Sequence, residues 1–450
     1  MLSVEQNERV TRTGPESPAG RLLRHYWQPV ALSEELDGQR PVVAVNVLGE
    51  SLVLFRDEAG RPGLIERACP HRGADLSYGR LEDGGIRCPF HGWLFDVNGH
   101  CLEQPAEPSD SIYFSRISQS AYPCSERTGI VFASLGGQQP RPLPGLDCLA
   151  APHAYSFSFK GHLECNWLQA LEVGIDPAHA SFLHRYSEAG DPGPGYGQQF
   201  RDNTGALPIS MTELLREYPR PYIEVEHTAF GLRLRAVRTL ADDRRHVRVT
   251  NQVFPQAICI PMSSDMTITQ WHVPVDDHSC FWYAMFTSFS NPVDQARMRD
   301  QRLKLYQVPG YTSRRNKRNR YGYDADEQRT RTYTGMGVDI NVHDQWAIES
   351  MGTIQDRSRE HLAHSDTAIR AYRSLLLQAI ATVEAGDRPT PEVSFLAAQA
   401  PIAVDAIASG VGWQDHWRTI DAERRQSSPW ARVDEDCLTK KKIETGDEYE

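Results

Sequence analysis

The distribution of apolar positions changes character twice along the chain. From Arg40 to about Ser134, short runs such as PVVAVNVLG, ESLVLFRD, GLIERAC and GIVFASLGG carry β-favouring residues between turn-forming segments, of which DEAGRPG is one. This text predicts a small all-β module. A Pro/Gly-rich stretch, GGQQPRPLPGL, from Gly136 to Leu146 reads as a linker. Beyond it, the segment GHLECNWLQALEVGIDPAHASFLHR from Gly161 to Arg185 predicts a helix with Trp167, Leu168, Leu171, Val173 and Ile175 on its apolar side. Strand-like alternation follows in IEVEHTAFGLRLRAVR, RHVRVTNQVFP and SCFWYAMFTSF. Helical spacing returns from Ser365 to Val383, with Ile369, Tyr372, Leu376, Ala379, Ile380 and Val383 on one side and Ser365 as the expected cap.

The pattern predicts an α+β chain in four parts. Residues 1–35 form a helical segment packed on the second domain, 36–148 an all-β domain, 149–435 an antiparallel sheet with helices, and 436–450 a mobile charged tail. A chain of 450 residues exceeds what one core usually serves, which agrees with two domains. No internal repeat or low-complexity segment interrupts them.

Charge narrows the function classes. The formal net charge of −11 argues against a nucleic-acid or anionic-membrane partner and favours a small substrate and protein partners. The first residues, MLSVEQNERVTRTG, lack the apolar core of a signal peptide, and no apolar run reaches membrane-spanning length, so a cytoplasmic location is expected. Nine cysteines, at 69, 88, 101, 124, 148, 165, 259, 280 and 437, are odd in number and scattered, unlike a disulfide framework. The basic run TSRRNKRNRYGY at 312–323 reads as a solvated surface loop.

Only two of the cysteines sit in a ligand-like context. Cys69-x-His71 is followed after sixteen residues by Cys88-x-x-His91, with Pro70, Gly73, Pro89 and Gly92 suited to two tight loops. Two thiolates and two imidazoles suit a [2Fe-2S] cluster whose histidines replace cysteines on one iron. They equally suit a tetrahedral zinc ion, and spacing alone does not separate the two. Downstream, Asp176-Pro-Ala-His179-Ala-Ser-Phe-Leu-His184 sets two histidines five apart after an acidic residue. Two imidazoles and one carboxylate form the facial triad of non-haem Fe(II) sites. On a regular helix these histidines diverge by roughly 140°, so one metal is reachable only if the helix ends or distorts between them.

The text around both motifs resembles one family. Cys-Pro-His-Arg-Gly and Cys-Pro-x-His-Gly-Trp resemble the Rieske signature of ring-hydroxylating oxygenases, and NWLQALEVGIDPAHASFLH resembles their catalytic helix. The stretch YTGMGVDINVHDQWAIESMGTIQDRSREHLAHSDTAI resembles the phthalate dioxygenase-like branch of the Rieske non-haem iron oxygenases. Ala74 and Phe90 stand where respiratory Rieske proteins carry a disulfide, which points to the oxygenase branch.

The resemblance implies a Rieske domain followed by a helix-grip catalytic domain, with Cys69, His71, Cys88 and His91 holding the cluster and His179, His184 and Asp344 the iron. Asp339 and Asp356 are weaker candidates for the third iron ligand, and Glu349 sits a turn too far along. It also implies that Asp176 bridges to a cluster histidine of a neighbouring subunit, in a homotrimer or dimer of trimers. No G-x-G-x-x-G follows a strand and no plant-type ferredoxin spacing occurs, so a separate NAD(P)H-dependent reductase with flavin and ferredoxin parts is expected.

The implied activity is O2-dependent hydroxylation of an aromatic substrate, with aryl-ether O-demethylation as the alternative. An electron carrier without oxygenase activity and a structural zinc protein are the rivals from other classes. Arg233 and Arg235, two apart in a strand, suggest a clamp for an aromatic carboxylate if they face the iron, with Arg238, Arg245 and Arg248 nearby; otherwise they coat the wet face of a sheet. DPGPGYG, Asp191 to Gly197, suggests a lid or an ordinary loop.

Overall fold

Three small antiparallel sheets build the amino-terminal module in this computed structural model. The structure describes residues 1–136, 140, 142–187, 210–241, 243–262, 265–391 and 401–431. The suggested lid, the charged tail and parts of the expected linker therefore lie outside the described residues. One sheet runs Val42–Val47, Glu50–Arg56, Pro62–Glu66 and Ala121–Tyr122, and a second Arg80–Glu82, Gly85–Arg87, Leu94–Phe95 and Cys101–Glu103. Val53, Phe55, Ile65, Leu76, Ile86 and Phe95 form a core between them that also takes in Cys69, Cys88 and Trp93. The third sheet brings in Trp27–Leu32, which pairs with Ile130–Ser134, so the β structure starts inside the segment expected to be helical.

Two helices precede that strand. Val4–Thr11 opens on a capping box made by Ser3 and Gln6, and Pro18–Arg24 has Pro at its first position and Ser17 as cap. Both pack against the helix Thr367–Glu384 of the second domain. That helix starts two residues after the expected cap: Asp366, not Ser365, occupies the capping position, because a single 3-10 turn over His364–Asp366 leads into it.

The second domain is organised on a ten-stranded sheet. Its order is Tyr222–Thr228, Gly231–Thr239, Arg245–Val253, Ala257–Pro261, Met266–Pro274, Cys280–Ser288, Ser156–Leu163, Thr312–Ser313 and Tyr306–Gln307, with Val404–Ala408 paired to Arg245–Val253. All pairings are antiparallel except a short one between His162 and Thr312. Both faces are covered. The helix Trp413–Ser427 packs beside Val404–Ala408, and the helix Trp167–Gly174 lies against the strands Ala257–Pro261 to Cys280–Ser288.

The single helix expected from Gly161 to Arg185 is three elements. Gly161 to Leu163 end a strand, Asn166 caps the helix Trp167–Gly174, and one further turn spans Ala180–Leu183. Trp167 to Glu172 are all buried, apolar and polar positions alike, which marks an internal helix and not a surface one. Burial of Leu168 and Leu171 contributes about 2 kcal/mol each. Its polar members are satisfied: Glu172 pairs with Arg357 and Arg373, and Gln169 Nε2 donates to the Ile348 and Gly352 carbonyls at 2.8 Å. No helix of the described residues is long and apolar enough to cross a membrane.

Candidate metal centres

Two loops of the same design project from the small module. In one, Gly73 N–H donates to the Cys69 carbonyl and Cys69 N–H to that of Ala74; in the other, Gly92 donates to Cys88 and Cys88 to Trp93, all at 2.8–2.9 Å. Both glycines are left-handed, with φ +77° and +80°, and a Cβ on Gly92 would approach Pro105 Cγ to 2.6 Å. The mirrored turns bring Cys69 beside Cys88 and His71 beside His91. Cys69 and Cys88 are buried, and burial together with the neighbouring Cys88 thiol pushes Cys69 up to about 11. Thiols so crowded favour the thiolate form only around a cation.

The histidines agree with that reading. The His71 and His91 rings lie 4.4 Å apart, and each Nδ1 is buried without a hydrogen-bond partner among the described residues. Two orphaned ring nitrogens beside two buried thiols are a costly arrangement unless a metal group binds them, and their number and type fit a two-histidine, two-cysteine iron–sulfur cluster. Trp93 stacks on His71 at 4.5 Å, and Phe90 lies against His91 and is 54% exposed.

The second centre forms where the helix Trp167–Gly174 stops. A Cβ on Gly174 would meet Ile258 at 2.2 Å, and Asp176-Pro177 turns the chain, with Asp176 Oδ1 accepting from Ala178 N–H at 2.8 Å. His179 then precedes the single turn Ala180–Leu183 and His184 ends it. The helix Trp167–Gly174 thus stops before His179, and the single turn that joins the two histidines ends at His184, whose backbone (φ −103°, ψ 17°) has left the helical region, which brings both rings to one side. His179 Nε2 and His184 Nε2 are 3.2 Å apart, and Asp344 Oδ1 lies 3.2 Å from His184 Nε2 and 3.7 Å from His179 Nε2. Among the described residues this is the one group of three or more such side chains with ligand atoms mutually within 4.8 Å.

Asp344 sits inside the helix Ile340–Ser350, whose cap is Asp339; the helix thus begins before the residue and not after it. Burial raises the Asp344 carboxyl, but the facing rings of His184 and His179 outweigh that and hold it below the ordinary carboxylate range. Asp344 Oδ1 accepts no hydrogen bond among the described residues, which leaves its charge directed at the two Nε2 atoms. The donor set fits an Fe(II) ion with open positions. Asp339 instead pairs with Arg302, Asp356 accepts from Ser358, and Glu349 accepts from Tyr321 and Gln345.

A cavity of about 180 Å³ adjoins the triad. Ile258, Ile260, Trp282 and Ile348 supply apolar walls; Arg238, Arg248, Thr250, Gln270 and His272 supply polar ones. Arg233 and Arg235 are not among its lining. They face the opposite side of the strand, where Arg233 pairs with Glu226 at 2.9 Å and Arg235 with Glu224 at 2.8 Å, Arg233 also lying over Trp417. The expected clamp is thereby corrected by the two-residue period: Arg238 belongs to the other face, with Leu234 and Ala236.

Arg238 is 1% exposed. Its Nε donates to the Tyr218 carbonyl at 3.0 Å and Nη2 to Ser181 Oγ at 3.4 Å, while Nη1 has no partner among the described residues. Burial, then the neighbouring Arg248, pulls it down to about 10, so it stays a cation at neutral pH.

On the outer side of Asp176 and His179 lies a second, open groove of about 1080 Å³, bordered by Phe182, Tyr333, Trp346 and Met351. Lys317 and Arg320 of the basic run also line it.

A family model described as the Rieske [2Fe-2S] domain matches residues 26–122, and one described as LigXa C-terminal domain like matches 151–440. The phthalate 4,5-dioxygenase oxygenase subunit of Pseudomonas putida is 32% identical over 445 residues, 94% of this chain and 97% of that protein. The chain belongs to the Rieske oxygenases. It is a terminal oxygenase component of that family, an oxidoreductase that carries a [2Fe-2S] Rieske cluster and a mononuclear iron. Another relative of this oxygenase, the phenoxybenzoate dioxygenase subunit alpha of Ectopseudomonas oleovorans, is 35% identical, with 83% of this chain and 84% of that protein covered. The fold is shared with the solved structure of Pseudomonas putida CBB5 NdmA with caffeine, at a TM-score of 0.57 and 19% identity over 88% of this chain and all of that one.

Two residues of the site were not singled out from the sequence. Arg238 was named only as a neighbour, and His343, beside Asp344 in the chain, carried no signal beyond that adjacency.

Proposed function

We propose that this oxygenase hydroxylates an aromatic carboxylate, held against the iron centre by Arg238. The single observation that carries the reading is the Nη1 of Arg238: a cation buried beside the triad, in an otherwise largely apolar cavity, with one donor unused among the described residues. A carboxylate oxygen satisfies that donor, and the apolar walls take an aromatic ring. The relatives named for phthalate and phenoxybenzoate act, by those names, on acids of this kind.

In this reading His179, His184 and Asp344 hold Fe(II), which supplies the means to activate O2 when bound. Arg238 fixes the substrate's polar end, and the walls keep water from the reacting carbon. Electrons come from a separate reductase with flavin and ferredoxin parts. Asp176 links the iron to a cluster on a neighbouring subunit of a trimer. Support comes from the groove outside Asp176: every described residue lining it lies at position 169 or later, so the chain's own cluster loops leave it free. Those loops carry exposed Phe90 and, nearby, Tyr113, aromatic side chains that suit an aromatic-lined groove.

The test supplies a compatible reductase, NAD(P)H and O2, and offers aromatic carboxylates, methoxyarenes and neutral arenes, with products read by mass. Acids are expected to be turned over in preference, and Arg238→Met to raise KM for them by about 10-fold or more while neutral arenes change little. Equal turnover of acids and neutral arenes by the unsubstituted enzyme would remove the carboxylate reading. Formaldehyde from a methoxylated acid would assign demethylation in place of ring hydroxylation.

A further inference from the structure

The helix that supplies Asp344 also grips the far side of His184. His343 precedes Asp344 in the helix Ile340–Ser350 and is fully buried. Its Nδ1 lies 3.4 Å from His184 Nδ1, and its Nε2 lies 2.9 Å from the Gly337 carbonyl. A carbonyl oxygen only accepts, so His343 Nε2 carries a proton; a ligating His184 keeps its lone pair at Nε2 and therefore carries its own proton at Nδ1, which makes His343 Nδ1 the acceptor between the rings. His184 Nδ1–H donates to it, which leaves the lone pair of His184 at Nε2, facing His179 Nε2 and Asp344.

The ring geometry is that of an in-plane hydrogen bond. The His184 and His343 planes are within 23° of each other and their centroids are 5.6 Å apart, essentially the nitrogen separation plus the two ring radii. The nitrogens therefore lie close to the line joining the rings. The start of the relay is itself anchored. Gly337 has φ +81°, a Cβ there would meet Arg315 Nη1 at 2.4 Å, Arg315 Nη1 donates to the Met336 carbonyl at 2.6 Å, and Gly337 N–H donates to Glu327 Oε1 at 2.7 Å. The basic run, read from sequence as solvated surface, thus contributes one half-buried clamp.

We infer that His343 is a positioning residue that fixes the tautomer and orientation of His184 for metal binding, through the relay Gly337 carbonyl, His343, His184. The inference rests on His179, His184 and Asp344 being the iron ligands. Partners of this kind raise ligand basicity, and their loss lowers metal affinity by about 10- to 100-fold.

The test compares Fe(II) affinity and the EPR spectrum of the nitrosyl complex of the mononuclear iron in the full-length enzyme, with the Rieske cluster signal as an internal check of folding. His343→Met, whose thioether is at most a weak acceptor for His184 and donates nothing to Gly337, is expected to weaken Fe(II) binding about 10-fold or more and to alter the nitrosyl spectrum. His343→Gln, whose amide can accept from His184 and donate to Gly337, is expected to restore binding to within about 3-fold. Unchanged affinity and spectrum in His343→Met, alongside iron loss in His184→Ala, would overturn the inference alone. Iron retained in His184→Ala would instead overturn the ligand assignment, and this inference with it. Should His343→Met lose the cluster signal, the decision passes to His343→Phe, which keeps a ring in the buried site but cannot accept from His184, read by electron spin-echo modulation from the remote nitrogen of His184. A coupling shifted from the unsubstituted enzyme supports the relay, and an identical one removes it.

Discussion

Asp344 and Arg238 show what a single side chain contributes and how far each was readable. Asp344 was singled out because its surroundings resemble one family, and what suits it to hold a metal is its unbonded Oδ1 and the rings that keep it ionised. Asp344→Asn keeps the shape and removes the charge. The expected outcome is loss of mononuclear iron, from about three irons per chain to about two, with cluster absorption retained, as elemental analysis and visible spectroscopy would read. Unchanged iron content would point to another ligand. Arg238 was not legible in the same way. Strand alternation tells which residues share a face but not which face meets the cavity, and here helices lie against both faces of the sheet, so a row of charged residues does not by itself mark the site. The arginines that looked like a clamp balance Glu224 and Glu226 on the neighbouring strand.

The helix Trp167–Gly174 carries the next lesson, since its end matters as much as its length. The five-residue histidine spacing required a break, and the single turn Ala180–Leu183, which ends at a non-helical His184, supplies it, while Gly174, Asp176 and Pro177 end the longer helix before His179; the extent of that helix was overread because buried strand and buried helix look alike in a short apolar run. The element is fixed by Glu172, which lies between Arg357 and Arg373 and is buried with them. Burial raises its carboxyl, but the two guanidinium groups prevail and hold it below the ordinary value. Glu172→Gln leaves the buried Arg357 without an anionic partner and Arg373 with Glu360 alone, and is expected to destabilise the domain by about 3 kcal/mol in denaturant melts. The pH effect has a definite sign. The folded carboxyl has the lower pKa, so its stabilisation is complete above the unfolded value of about 4.3 and is lost as pH falls through the folded value. Acid unfolding of the unsubstituted enzyme should therefore steepen below about pH 4, and the Gln variant should lack that component.

For the assembled enzyme, the proposed circuit between subunits makes a demand that no isolated chain meets. Chains with Cys69→Ser lack a cluster ligand and chains with His184→Ala lack an iron ligand, so each alone is expected to be inactive. Coexpressed and purified as mixed oligomers, they should regain turnover, because a cluster on one subunit serves the iron of the next. No recovery in verified mixed oligomers would confine electron transfer to single chains. Asp176→Asn is expected to keep both metal centres and slow single-turnover reduction of the iron site, a separation that iron analysis and rapid-mixing spectroscopy can make.

The first helix lends the molecule an unusual timetable. Leu2 N–H donates to the Arg357 carbonyl, Asn7 Nδ2 donates to the Gln355 carbonyl, and Arg357 Nη1 donates to Asn7 Oδ1 across 350 residues of chain. Arg357 is also the partner of Glu172. On the ribosome the β module can close around its own core while this opening helix waits, its seat not yet synthesised. Only when the loop near Arg357 emerges do the earliest residues find their place, and by then the catalytic helix is being locked by the same arginine. Segments 350 residues apart meet at a brace behind the catalytic helix, so the seating of the first helix and the locking of the helix that leads to the iron centre depend on one arginine.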